Sequence, residues 1–203
     1  PTSSVLAAVG RATSAGIVIV ISAGNDGEEP EGANADPFAL GSASNGNGLV
    51  IIAGAHNSSG VLTSFSNEAG QGAPYYLAAL GSSVRSIDHN GTALLFSGTS
   101  FSTPVISGAA ALLASAFPNL TGAQIVELLL TTADDAGAAG RDRVYGNGIL
   151  NIARAFQPQG QTSLAGSTTP VSTENNGQTS SAMGVAQTAM AGAVIPDGYL
   201  RAF

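Results

Sequence analysis

Five consecutive β-branched residues, Ile17-Val18-Ile19-Val20-Ile21, lie between Gly16 and Ser22-Ala23-Gly24. The run is too short for a helix and does not alternate with polar residues. Such a run reads as a strand buried on both faces, which happens in parallel sheets covered by helices on each side. Leu49-Val50-Ile51-Ile52-Ala53 repeats the signal. Helical spacing flanks both strands. Val5, Leu6 and Val9 mark a helix over 3–15 stopped by Gly16, and a long apolar helix runs from near Ser100 to about Phe117, ended by Pro118-Asn119. Thr121 is placed to cap a helix carrying Ile125, Val126, Leu128 and Leu129, and a short helix covers Leu150 to Phe156. Shorter strands are expected at 76–80, 84–87 and 93–96. The pattern implies an α/β fold with a mainly parallel sheet.

Composition narrows the partners. The 203 residues carry 13 acidic against 6 basic side chains, net −7, and every basic residue is Arg. Phosphate binding needs clustered cations, so nucleic acid is excluded as a partner, and no basic face is available for an anionic membrane. Without Cys there is no disulfide, thiolate metal site or Cys nucleophile. The two His and scattered acids leave little for a metal centre. The apolar stretch Val105–Phe117 is too short to span a bilayer. Pro1 is not an initiator Met, so a piece of a longer chain is expected. Gln, Ser, Thr, Gly, Asn and Pro dominate from 157 to 182, where Glu174 is the only charge. This composition predicts a flexible linker. The organisation expected is a domain over 1–156, a linker over 157–182 and a more apolar end over 183–203.

Chemistry concentrates in Ser97-Gly98-Thr99-Ser100-Phe101-Ser102-Thr103-Pro104, which follows an apolar strand and opens the apolar helix. A Ser100 hydroxyl there sits at a helix N-terminus, whose unpaired N–H groups and dipole favour developing negative charge. A plain helix cap accounts for the block equally well. Asn25 follows Gly24 at the end of strand 17–21, placed to present its amide above the sheet, where ligands usually bind. Alone, it reads as a turn residue. Asp26, Glu28, Glu29, Glu31 and Asp36 form an acidic loop, read as solvated, with Ca²⁺ binding or attraction of basic substrates as alternatives. His56 and His89 read as surface polar residues.

Together these blocks resemble the catalytic domain of the subtilisin-like serine proteases. Ser22-Ala23-Gly24-Asn25 is similar to that family's oxyanion block and Ser97–Pro104 to its nucleophile block. Ser64-Phe65-Ser66-Asn67, the strand and following loop over Ala78 to Ile87, Pro118–Thr121 and Tyr145–Asn151 match in order up to about Phe156. The resemblance implies a three-layer fold of which only the C-terminal part is present. It implies endopeptidase chemistry, with Ser100 as nucleophile and its own N–H in the oxyanion hole. Asn25 is then the second donor, and Ser22, Ala23 and Gly24 form one wall of the specificity pocket. The family's Asp and His-Gly-Thr precede everything here, so the missing N-terminal half of the domain is an implied partner, besides a protein or peptide substrate. Without that half, strands 17–21 and 49–53 are both expected to lose cover. No cofactor is implied for the chemistry, and structural Ca²⁺ is possible but not evident. Phe101 stands where relatives commonly have Met, and Ser97 where they often have Asn.

The last residues, Asp197–Phe203, resemble the junction between a protease passenger and the β-barrel translocator of autotransporters. That implies a secreted or bacterial cell-surface protein; an ordinary disordered C-terminus is the alternative. Two other readings stand: a catalytically inactive passenger or adhesin scaffold, and an acid-acting sedolisin. The latter uses an Asp oxyanion donor, against which Asn25 argues.

Overall fold

The computed structural model describes residues 1–166, 169–171 and 194–203. Helix α1 (Ser3–Ser14) leads into β1 (Ile19–Ser22), α2 (Pro37–Ser44), β2 (Val50–His56), β3 (Tyr76–Leu80), β4 (Val84–Ile87) and β5 (Ala93–Phe96). Helices α3 (Thr99–Ala116), α4 (Gly122–Thr131) and α5 (Ile152–Ala155) follow.

Strands β1, β2 and β3 form a parallel sheet in that order, with Ile19 opposite Val50 and Ile52 opposite Tyr76. The pleat sends alternate side chains to opposite faces. Ile51 and Ala53 of β2 and Leu77 and Ala79 of β3 pack with Ile106, Ala109 and Leu113 of α3 and the apolar stripe of α4. Val50, Ile52, Tyr76 and Ala78 point the other way, into a second cluster with Ala39 and Ala43 of α2. The three expected layers are therefore present. A reciprocal capping box between Thr121 and Gln124 starts α4 where the sequence places it.

Three features differ from expectation. Of the two β-branched runs, only the one in β2 is buried along nearly its whole length; β1 is half-buried and Ile17 is 55% exposed. β2 lies between two neighbours, whereas β1 is the sheet's edge and has a partner on one side only. Removal of cover thus falls on 17–21 and not on 49–53. Helix α2 was not anticipated, although its signal is present: Asp36 caps the Phe38 N–H at 2.6 Å and Pro37 occupies the first turn. β4 and β5 leave the main sheet and pair with each other as an antiparallel hairpin, Val84 opposite Phe96.

The stretch expected to be a flexible linker is held in its described part. Gly198 N–H donates to Gln159 O at 2.8 Å and Ser163 N–H to Pro196 O at 3.2 Å, and Thr162 is buried. Backbone groups of 157–165 gain partners from 194–203, which composition alone does not reveal. Residues 172–193, with most of the rest of the expected linker and the start of the 183–203 segment, lie outside the described residues. Among the described residues no helix is long and apolar enough to cross a membrane.

Candidate active site

The site is assembled where β1 and α3 meet at one end of the sheet. β1 ends at Ser22, and the chain turns through Gly24 with φ +108°, a conformation that favours glycine. A Cβ at Gly24 would also lie 2.6 Å from Asn67 Nδ2. Asn25 follows, exposed. Its Oδ1 accepts from Thr99 N–H at 2.9 Å and from Thr99 Oγ1 at 3.0 Å. Two segments 74 residues apart in sequence are thereby joined at the first turn of α3.

Gly98 makes that turn possible. It has φ +150° and ψ 155°, and its N–H donates to Gly81 O at 2.8 Å. It offers no side-chain cap, so the first N–H groups of α3 are left to other acceptors. Thr99 is fully buried, while Ser100, next in the turn, is exposed. Phe101 stacks on Phe96 with ring centroids 5.2 Å apart, bracing the start of α3 against β5.

Asn25 is thus divided. Its oxygen is spent on Thr99, and its Nδ2 makes no hydrogen bond among the described residues. The Asn25 amide donor is thus left to other acceptors at the first turn of α3, where exposed Ser100 follows Thr99, an arrangement that suits an oxyanion.

The three residues expected at the pocket wall behave unequally. The Ala23 side chain is sealed in the α2-side core. Ser22 is half-buried, and Gly24 contributes backbone, its carbonyl accepting from Asn67 N–H and Thr99 Oγ1.

Beneath the loop lies a polar layer that sequence reasoning matched by pattern but assigned no role. Asn67 and Ser66 are buried, and Tyr76 Oη donates to Asn67 O at 2.7 Å. Burial pushes the Tyr76 phenol far above its ordinary range and so favours the protonated, donating form. The signal was a polar pair, Ser66-Asn67, before a strand opening on Tyr76. In the acidic loop, Glu28 accepts from Ser64 Oγ at 2.7 Å, while Asp26, Glu29 and Glu31 are exposed. No three His, Asp or Glu side chains converge as metal ligands among the described residues. His56 closes β2, with Nδ1 2.7 Å from Asn57 O, and His89 is exposed between β4 and β5. Neither ring hydrogen-bonds Ser100.

The Subtilase family model matches residues 1–148, the segment that builds both faces of the sheet and the site. The chain belongs to the subtilase family. Subtilisin amylosacchariticus of Bacillus subtilis subsp. amylosacchariticus is 35% identical over 150 residues, covering 73% of this chain and 36% of that protein. Serotype-specific antigen 1 of Mannheimia haemolytica is 50% identical over 58 residues, 29% of this chain and 6% of that protein. Among solved structures, the self-cleaved protease domain of PatA superposes with TM-score 0.61 at 27% identity, covering 77% of this chain and 55% of that one. The fold is subtilisin-like, and the chain spans roughly a third to a half of the length of the subtilisins it matches.

Proposed function

We propose that this subtilase chain carries the nucleophile and oxyanion hole of a serine endopeptidase. The observation that carries the reading is the junction of Asn25 with Thr99, which brings an amide donor and Ser100 to one helix N-terminus. Ser100 Oγ attacks the substrate carbonyl. The oxyanion is held by the Ser100 N–H and Asn25 Nδ2, the amine leaves, and water releases the acyl group. A Ser hydroxyl is a weak nucleophile without a base, so a His and its orienting Asp come from the N-terminal half of the domain. The exposed outer side of α3, with Val105 and Leu112, and the free edge of β1 suit a surface that this half covers. Ser22 and Gly24 border the specificity pocket, Ala23 supporting it from the core. No cofactor enters the chemistry.

The resemblance of the tail to a passenger junction extends the proposal to a secreted or surface-exposed protein followed by a β-barrel translocator. Fractionation of the producing cells tests that location. For the chemistry, a serine-directed phosphonate should label the complete protein at Ser100, and Ser100→Ala should abolish both label and turnover. Labelling of the Ala variant at the same rate would remove Ser100 as nucleophile.

A further inference from the structure

Asn67 holds the polypeptide on both sides of Asn25. Its backbone N–H donates to Gly24 O at 3.1 Å, immediately before Asn25. Its side-chain Oδ1 accepts from Asp26 N–H at 2.6 Å, immediately after. The other half of the carboxamide, Nδ2, donates to Asn34 O at 3.1 Å and closes the acidic loop back on itself. Asn67 is only 2% exposed and is held from below by the Tyr76 hydroxyl on its carbonyl. Its carboxamide also lies against the bare α-carbon of Gly24, where a Cβ would meet Nδ2 and Cγ at 2.6 and 2.9 Å. After Ala23 the loop has no apolar anchor near Asn25, and Asn25 itself is exposed. Its orientation is therefore set by Thr99 at the side chain and by how its two flanking peptides are fixed.

We propose that Asn67 is a positioning residue for the oxyanion hole, a clasp that sets the Asn25 peptide so that Oδ1 meets Thr99 and Nδ2 faces the reacting carbonyl. The proposal rests on the reading of Asn25 as an oxyanion donor. A buried amide suits the task because it offers an acceptor to Asp26 N–H and a donor to Asn34 O at once, and both are backbone groups whose desolvation needs a partner. Because the clasp acts on the transition state and not on substrate affinity, its loss appears in kcat, with KM little changed.

The test is a double-mutant cycle in the complete protein, with kcat and KM measured on a fluorogenic peptide for Asn25→Ala, Asn67→Ala and the double variant. Asn67→Ala should lower kcat by about 10- to 10²-fold, the range produced by displacing a catalytic group by up to about 1 Å, with KM within about two-fold. In the Asn25→Ala background the same change should cost little more, since the group it positions is gone. Unchanged kcat in Asn67→Ala alongside a loss in Asn25→Ala overturns the clasp and leaves the oxyanion assignment intact. Losses that multiply overturn it as well, because Asn67 then acts independently of Asn25. Unchanged kcat in Asn25→Ala overturns the oxyanion reading and the clasp with it. If Asn67→Ala does not fold, Asn67→Ser is put through the same cycle: it keeps the backbone bond to Gly24 but is too short for both carboxamide bonds, and the same results decide.

Discussion

Arg201 is the cation on which the described C-terminal segment closes, and replacing it by Met tests how that segment is held. Its guanidinium and the Asp197 carboxylate are 1% and 0% exposed and meet at 2.6 Å. The guanidinium also donates to Ala155 O at 2.5 Å and Gln157 O at 2.7 Å, and lies over the rings of Phe117, Phe203 and Tyr199 at 4.8, 5.2 and 5.7 Å. Met keeps an unbranched apolar stem, shorter than that of Arg, and removes every side-chain donor. Removing one partner of a buried ion pair costs about 3–5 kcal/mol, because the other charge stays buried. Asp197 retains N–H donors from Gln159, Tyr199 and Arg201, which places the expected cost at the lower end. A segment that detaches limits the loss to its own docking energy, so the change is read locally. In the complete protein, amide exchange protection of 157–163 and 197–203 should fall by about 10²-fold, or to the free-chain rate, in Arg201→Met. Protection across α3 and β2 should stay the same. Adding Asp197→Asn should recover part of the loss, since no charge then remains buried. A fall of less than about ten-fold, or an equal fall in β2, would refute the reasoning.

The pH dependence follows from the same pair. Burial alone would raise the Asp197 carboxyl, but the Arg201 side chain and three backbone N–H groups outweigh it and hold it below the ordinary 3.8. The clasp of the tail is therefore fully present above that value and weakens only as pH falls through the lowered one, so exchange protection should be flat from neutrality to about pH 5. Asn25→Ala leaves the buried Thr99 N–H without its acceptor and should cost about 1–3 kcal/mol of stability by denaturant unfolding, whereas Asn25→Asp keeps that acceptor and should not. Both should lose about 10²–10³ in rate, the loss seen when a subtilisin loses its oxyanion-hole Asn. Phe101 has no sulfur to oxidise, so peroxide inactivation should be slower than in Phe101→Met; identical inactivation curves would contradict this. This chain alone, with Leu112 and Ile17 each 55% exposed, should aggregate and show no Ser100-dependent hydrolysis of a fluorogenic peptide. Turnover would mean that a base lies within it.

Local signals carried much of this protein. Ile19–Ser22 and Val50–His56 are strands because β-branched runs bounded by turn residues have few alternatives, and Thr121 with Gln124 writes its own helix start. Ser100 and Asn25 were legible as candidates because each sits at a strand or helix end whose chemistry is local. Other features needed the tertiary structure, since they depend on which distant groups meet. β1 and β2 have similar compositions, yet one is an edge and the other a centre, a difference of neighbours and not of residues. Asn67 looks like any loop Asn until its carboxamide is seen beneath Gly24 and Asp26. Asp197 and Arg201 lie at the end of a chain whose preceding stretch has a linker's composition, but burial beside Phe117 and the carbonyls of Ala155 and Gln157 makes them an anchor. Backbone periodicity is written in neighbouring residues. The satisfaction of a buried polar group is decided by whatever the fold brings to it.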